Sequence, residues 1–103
     1  MMAQELESYR FIDKIEKLPF VKRVILYGSR GRGDNRERSD IDLAVDCSGA
    51  TDLDWVEVVE LVEEADTLLK IDCVRFDKLD EGDLLKRNIL LEGKTIYKKE
   101  SEQ

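Results

Sequence analysis

The chain has 103 residues, of which 42% are hydrophobic and 40% are charged, and its formal net charge is −7. A chain of this length accommodates one sheet-and-helix core, so we expect a single domain over residues 1–103, with a core of about residues 5–97 and a polar tail over 98–103. The acidic balance argues against general affinity for nucleic acid, whose backbone is also anionic. No apolar run reaches the roughly 18 residues that a membrane span needs.

Histidine is missing from the composition, which removes the commonest general base and the usual zinc ligand. The two cysteines, Cys47 and Cys73, carry no paired ligand motif, and we expect them to be reduced residues of the core. The beginning of the chain shows no apolar segment of the kind found in secretory signals. Together these features predict a cytoplasmic protein.

Hydrophobic periodicity predicts helices alternating with extended segments. Apolar residues at helical spacing are followed by Pro19, which ends the first helix, and Gly93 ends the last one. The second helix places Trp55, Val58, Val59, Val62, Ala65 and Leu69 on one face, which is typical of a helix that packs on a sheet. The predicted helices cover residues 4–18, 52–69 and 81–91, and the predicted extended segments cover 21–27, 39–45, 71–76 and 95–97.

Two carboxylates lie two residues apart in the second predicted strand, within Ser39-Asp40-Ile41-Asp42-Leu43. Residues i and i+2 of a strand point to the same face, so Asp40 and Asp42 lie side by side while the apolar residues face the core. Like charges at this separation repel unless a cation lies between them. Mg²⁺ is usually held by one or two carboxylates together with substrate phosphates, and it suits this pair.

The run Tyr27-Gly28-Ser29-Arg30 precedes the carboxylates and reads as a tight turn that opens a short helix. Backbone N–H groups at such a turn, the Ser29 hydroxyl and the Arg30 guanidinium form a candidate phosphate site. The alternative is that the turn is only a turn and that the arginines of the loop are solvated. A phosphate site facing two carboxylates is the layout of metal-dependent phosphoryl or nucleotidyl transfer.

Asp72 interrupts the apolar third strand, where an unpaired carboxylate is costly, and it is the candidate third ligand. The alternative is an aspartate at a sheet edge that meets solvent or an arginine. Asp46 is in phase with Asp40 and Asp42, but it lies at the end of its strand and is the less favoured candidate.

The run Gly28-Ser29, ten residues, Asp40-Ile41-Asp42, with the later Asp72, resembles the DNA polymerase beta-like nucleotidyltransferase superfamily. The small size of the chain and the sequence around Gly28 and Asp42 are most similar to the minimal nucleotidyltransferase (MNT) branch of this superfamily. The resemblance implies an α+β fold, with a small, mostly antiparallel or mixed sheet flanked by helices. It implies that Asp40, Asp42 and Asp72 hold two Mg²⁺ ions and catalyse transfer, and that Gly28 and Ser29 hold the phosphates of ATP.

The resemblance also implies a partner, because MNT proteins are typically paired as antitoxins with helical HEPN-type toxins, and some transfer AMP to a tyrosine of the toxin. We therefore expect a nucleotidyltransferase, acting as a protein adenylyltransferase, in a homo- or hetero-oligomer. A second interpretation is a non-catalytic antitoxin that neutralises its partner by binding. Transfer to a small molecule is a third, which the lack of room for an acceptor domain disfavours.

Overall fold

The computed structural model describes residues 9–100 and shows a four-stranded sheet with helices on both faces. The predicted α+β class is thus observed, although residues 4–8 of the first predicted helix and 101–103 of the predicted tail lie outside the described range. In chain order the elements are α1 (Arg10–Glu16), β1 (Arg23–Tyr27), α2 (Gly28–Arg32), β2 (Ile41–Asp46), α3 (Asp52–Glu63), β3 (Ile71–Arg75), a 3₁₀ turn (Phe76–Lys78), α4 (Leu84–Glu92) and β4 (Lys94–Lys98).

The strands lie in the order β3-β2-β1-β4. β1 pairs antiparallel with both β2 and β4, whereas β2 and β3 run parallel. A parallel pair needs a crossover connection, and α3 supplies it between β2 and β3. Because parallel strands begin at the same edge of a sheet, the first residues of β2 and β3 lie together there.

Two apolar clusters cover the two faces of the sheet. The larger one joins α1 and α3 to the strand residues that point away from the carboxylates, and it contains Ile15, Ile41, Leu43, Val45 and Val58, all without solvent exposure. The smaller one packs Ile25, Ala44, Phe76 and Ile89 beneath α4 and the 3₁₀ turn. The sheet is therefore held from both sides, and its carboxylate-bearing edge is left at the end of the smaller cluster.

The helix α3 is shorter than predicted. It begins with a capping box, in which Thr51 accepts from the Asp54 N–H and Asp54 accepts from the Thr51 N–H, so the predicted start is close. It ends at Glu63, whereas the apolar pattern predicted a helix to Leu69. Thr67 accepts from the Leu69 N–H and offers the backbone a local alternative to the helix. Val59, predicted to face the core, is 37% exposed.

Candidate active site

Three aspartates lie at the edge where β2 and β3 begin. Asp42 and Asp72 are partners in the parallel register, and residues in register point to the same face of a sheet. Asp40 comes two residues before Asp42 and directly precedes β2, so it lies on the same side. The neighbouring Ile41 and Leu43 are fully buried on the other face, which fixes the direction of the carboxylates. The three residues selected from the sequence are thus brought to one edge, and Asp46 is left at the other end of β2.

Among the residues that the structure describes, this cluster forms no ion pair with a lysine or arginine. Burial raises the pKa of Asp42 above its usual value, and the charges of Asp72 and Asp40 and a hydrogen bond with Asp72 raise it further. Lys70 acts in the opposite direction, as the weakest influence. Between residues 9 and 100 no lysine or arginine lies within ion-pair distance of Asp40, Asp42 or Asp72. Asp42 is partly buried and Asp40 and Asp72 are exposed, and a partly buried carboxylate beside two like charges attracts a cation.

Oxygen donors suit a hard cation such as Mg²⁺, which usually completes its shell with water and substrate phosphates. Within the described range no group of three acidic, cysteine or histidine side chains is closed enough to hold a metal by itself. Asp72, the register partner of Asp42, and Asp40 both act on Asp42 through their charges. The donor set therefore fits Mg²⁺ bound jointly by these carboxylates and a phosphate-bearing substrate.

The Gly28-Ser29 turn lies directly against this pair. Gly28 has a φ of +68°, a conformation that favours glycine, and no side chain caps the start of α2. A Cβ atom added at Gly28 would lie 2.3 Å from Oδ2 of Asp42, so only a hydrogen fits between turn and carboxylate. The first N–H groups of a helix have no partner inside the helix, and here they begin beside Asp42. The turn and the carboxylates thus form one site.

The structure gives Arg30 partners that the sequence did not indicate. A phosphate contact was predicted from its place after Ser29, but the residue is only 5% exposed. Its guanidinium donates to the carbonyl oxygens of Glu37, Ser39 and Asp40 at 3.0–3.3 Å. Nε and Nη2 are therefore committed to backbone oxygens, and the phosphate contact of Arg30 stays a prediction. Charge and spacing alone could not reveal this role, because it depends on how the loop folds back over α2.

Tyr27 is a site residue that the sequence reasoning missed. It pairs with Asp42 in the antiparallel register of β1 and β2 and packs against the smaller apolar cluster. Burial, then the charges of Asp42 and Asp72, and last that of Cys73 raise the pKa of Tyr27 to about 12. Its hydroxyl therefore stays protonated at neutral pH and can act as a hydrogen-bond donor. Its place immediately before Gly28 was the available signal.

Comparisons with known proteins show which family and fold this chain resembles. The family model described as "Polymerase beta, Nucleotidyltransferase" matches residues 10–102. A protein of Methanocaldococcus jannaschii, described as "Putative protein adenylyltransferase MJ0604", is 33% identical over an alignment of 85 residues, and the match covers 75% of this chain and 79% of that protein.

Solved structures share the fold. A chain of a toxin–antitoxin crystallised with AMP-PNP superposes with a TM-score of 0.64 at 23% identity, over 87% of this chain and 73% of that one. A chain of a Shewanella oneidensis complex, described as tri-AMPylated HEPN toxin with MNT antitoxin, superposes with a TM-score of 0.62 at 18% identity, over 96% and 74%.

Proposed function

The chain belongs to the polymerase beta nucleotidyltransferase family, and from this premise we propose that it transfers AMP from ATP to a tyrosine hydroxyl of a HEPN-type partner, as the antitoxin of a toxin–antitoxin pair. The observation that carries the proposal is the contact of the Gly28 turn with Asp42, which in turn meets Asp72. This contact joins a candidate phosphate site to a candidate cation site.

The transfer step requires positioning more than covalent help from the protein. When bound, two Mg²⁺ ions would neutralise the triphosphate and orient the attacking oxygen. Asp40, Asp42 and Asp72 would hold these ions, and the backbone of Gly28 and the hydroxyl of Ser29 would hold phosphate oxygens. The acceptor oxygen forms a bond to the α-phosphorus while the bond to the β-phosphate oxygen breaks, and pyrophosphate leaves. The acceptor proton passes to a carboxylate, for which we propose Asp72.

The acceptor is proposed from the relatives and from the size of the site. The Methanocaldococcus jannaschii relative is described as a protein adenylyltransferase, and the Shewanella oneidensis complex contains an AMPylated HEPN toxin beside an MNT antitoxin. Between residues 9 and 100 the chain has a single sheet with its helices. These elements form the candidate active site and the two apolar clusters that support it, and they include no separate acceptor-binding unit. A partner that presents its own hydroxyl would supply the missing acceptor.

Location and assembly are part of the same proposal. Cys47 and Cys73 are free thiols, which suit a reducing compartment, and we assign the protein to the cytoplasm. Within the described residues no helix is long and apolar enough to cross a membrane. We propose a single nucleotidyltransferase domain that works in a hetero-oligomer with the HEPN-type protein.

The test is co-expression with a HEPN-type protein encoded beside it, followed by intact-mass spectrometry of that partner. We expect discrete AMP additions that depend on Mg²⁺, and labelled transfer from ATP that falls by on the order of 10²-fold or more in Asp40→Asn and Asp42→Asn, because the metal contributes several kcal/mol. Asp46→Asn is the matched control, since Asp46 lies on the same strand at the opposite end and its carboxylate accepts from the Ser48 N–H.

A toxin that stays blocked in a verified complex without any AMP addition would overturn the catalytic proposal. That result would instead support an antitoxin that acts by binding alone. Equal transfer by wild type and Asp42→Asn would overturn the assignment of the carboxylates.

A further inference from the structure

Arg30 is a charged side chain buried inside the protein, and its interactions all point to one segment. Nε donates to the carbonyl oxygens of Ser39 and Asp40, each at 3.3 Å. Nη2 donates to the carbonyl oxygens of Glu37 at 3.3 Å and Ser39 at 3.0 Å. One guanidinium group thus binds three backbone carbonyl oxygens within residues 37–40, just before β2 begins.

The segment that Arg30 holds has few other constraints. Residues 33–40 form no helix or strand, and most of their side chains are exposed. Their other bonds are local, such as those from the Ser39 N–H to the Arg36 carbonyl and from the Arg36 N–H to the Ser39 hydroxyl. A loop of this kind is mobile unless buried groups fix it. Asp40, at the end of this loop, depends on such an anchor for its position.

The same short helix contacts both parts of the carboxylate cluster. α2 starts at Gly28, which touches Asp42, and two residues later Arg30 binds the carbonyl oxygen of Asp40. Arginine suits this task because its planar fork presents several donors to separate oxygens, whereas a lysine ammonium cannot reach all of them at once. α2 therefore sets the distance between the Gly28-Ser29 turn and Asp40.

We propose that Arg30 is a positioning residue, which places the Asp40 carboxylate for cation binding by holding the backbone of residues 37–40. This inference rests on the proposed function, since it takes Asp40 to be a cation ligand. Substituting a group that orients a metal-binding residue, without itself binding the metal, typically lowers metal affinity by about 10–100-fold.

The experiment compares Arg30→Lys and Arg30→Ala with wild type, and Arg32→Ala is the matched control. Arg32 lies in the same helix, but it is exposed and pairs with Asp34 and Glu92. Calorimetric titration measures Mg²⁺ affinity in the presence of a non-hydrolysable ATP analogue, and analogue affinity in a chelator without metal. Hydrogen–deuterium exchange measures the protection of amides 37–41, and circular dichroism reports the folded fraction.

We expect both Arg30 variants to bind Mg²⁺ about 10–100-fold more weakly, with the smaller loss in Arg30→Lys, and to exchange amides 37–41 faster. Metal-free affinity for the analogue should stay within about twofold, because the binding backbone at Gly28 and Ser29 is unchanged. Arg32→Ala should match wild type in all three measurements. If Arg30→Ala does not fold, Arg30→Lys carries the test.

Three results would overturn the inference. The first is a loss of metal-free analogue binding at unchanged Mg²⁺ affinity, which would make Arg30 a phosphate ligand. The second is unchanged exchange at residues 37–41 in a folded Arg30→Lys protein. The third is unchanged Mg²⁺ affinity in that protein. Mg²⁺ affinity that is equal in wild type and Asp40→Asn would refute the role of Asp40 in the proposed function, and the exchange measurement separates that failure from a failure of the backbone anchor.

Discussion

Each end of the parallel pair β2–β3 carries a half-buried aspartate, Asp42 at the starting end and Asp77 at the far end, but the pKa values of the two are shifted in opposite directions. At the starting end, burial and neighbouring carboxylates raise the pKa of Asp42. At the far end, burial would also raise the pKa of Asp77, but bonds from the backbone N–H groups of Cys47 and Asp77, followed by the nearby Arg75, outweigh it and lower that pKa. Arg75 and Asp77 form an ion pair at 3.1 Å, and each side chain is only 9% exposed.

The difference separates a structural pair from a candidate site. The Arg75 guanidinium also donates to the carbonyl oxygens of Cys47 and Ala50, so the far end is closed by partners from the chain itself. The starting end lacks such partners among the described residues, and its charge remains to be balanced by something that binds. A half-buried carboxylate with no cationic partner in residues 9–100, in a fold where another half-buried carboxylate, Asp77, has one, is a reason to assign function to that end.

Breaking the closed end should have the largest effect on stability. Asp77→Ala leaves the buried Arg75 guanidinium with only the exposed Asp52 carboxylate at 3.9 Å, and we expect a loss of about 3–5 kcal/mol in the free energy of unfolding. Urea denaturation measures it. Asp34→Ala is the control, because it removes an exposed pair with Arg32 and should cost less than about 1 kcal/mol. Similar losses in the two variants would show that the far end is not a buried, closed pair.

Substitution of Gly28 should have an intermediate effect on stability. Comparison with Gly33 distinguishes the cost of backbone strain from the effect of contact with Asp42. Gly28→Ala and Gly33→Ala both place a side chain at positive φ, and each should cost roughly 1–2 kcal/mol. Only Gly28→Ala also meets Asp42, since nothing lies within 4 Å of a Cβ at Gly33. We therefore expect Gly28→Ala alone to lower AMP transfer per folded molecule, by at least about tenfold. Equal transfer by the two variants would contradict a joint site.

Neutralising the starting end should have the smallest effect on stability, and of opposite sign. A carboxyl whose pKa is higher in the folded than in the unfolded chain destabilises the fold once it is ionised. The penalty is complete above the raised pKa of Asp42 and disappears as the pH falls through it towards the usual value of 3.8. Asp42→Asn should therefore stabilise the protein near neutral pH, by on the order of 1 kcal/mol or less, because the group is only partly buried.

Thermal unfolding over a pH series measures this gain. The advantage of Asp42→Asn should shrink as the pH is lowered, whereas the contribution of Asp77 is present above its unfolded pKa and is lost as the pH falls through its lowered pKa. Asp46→Asn should give no comparable gain near neutral pH. A less stable Asp42→Asn protein would mean that Asp42 is paired rather than unbalanced.

The sequence predicted the family, the fold class and the nucleotidyltransferase class, and these predictions are confirmed. The strand periodicity correctly predicted the face on which Asp42 lies, because Ile41 and Leu43 are buried on the opposite face. The roles of the site residues themselves stay predictions.

The sequence did not predict two features of the backbone outside the strands. The extent of α3 was overestimated because the apolar spacing continues to Leu69, while local side-chain bonds around Thr67 favour a turn. The bonds from Arg30 to backbone carbonyl oxygens were not predicted, because a guanidinium near a glycine turn indicates an anion until the fold of the following loop is known. Hydrophobic periodicity carries no information about either feature.

The crossover through α3 has a consequence for the order in which the protein becomes competent during synthesis. Asp40 and Asp42 leave the ribosome well before Asp72, and β3 can join β2 only after the whole stretch 47–70 has been made and folded back. The entropy cost of closing a connection of this length comes before the β2–β3 contacts that offset it. A nascent chain stopped before β3 therefore carries the Gly28-Ser29 turn and two of the aspartates, but cannot assemble the complete candidate site.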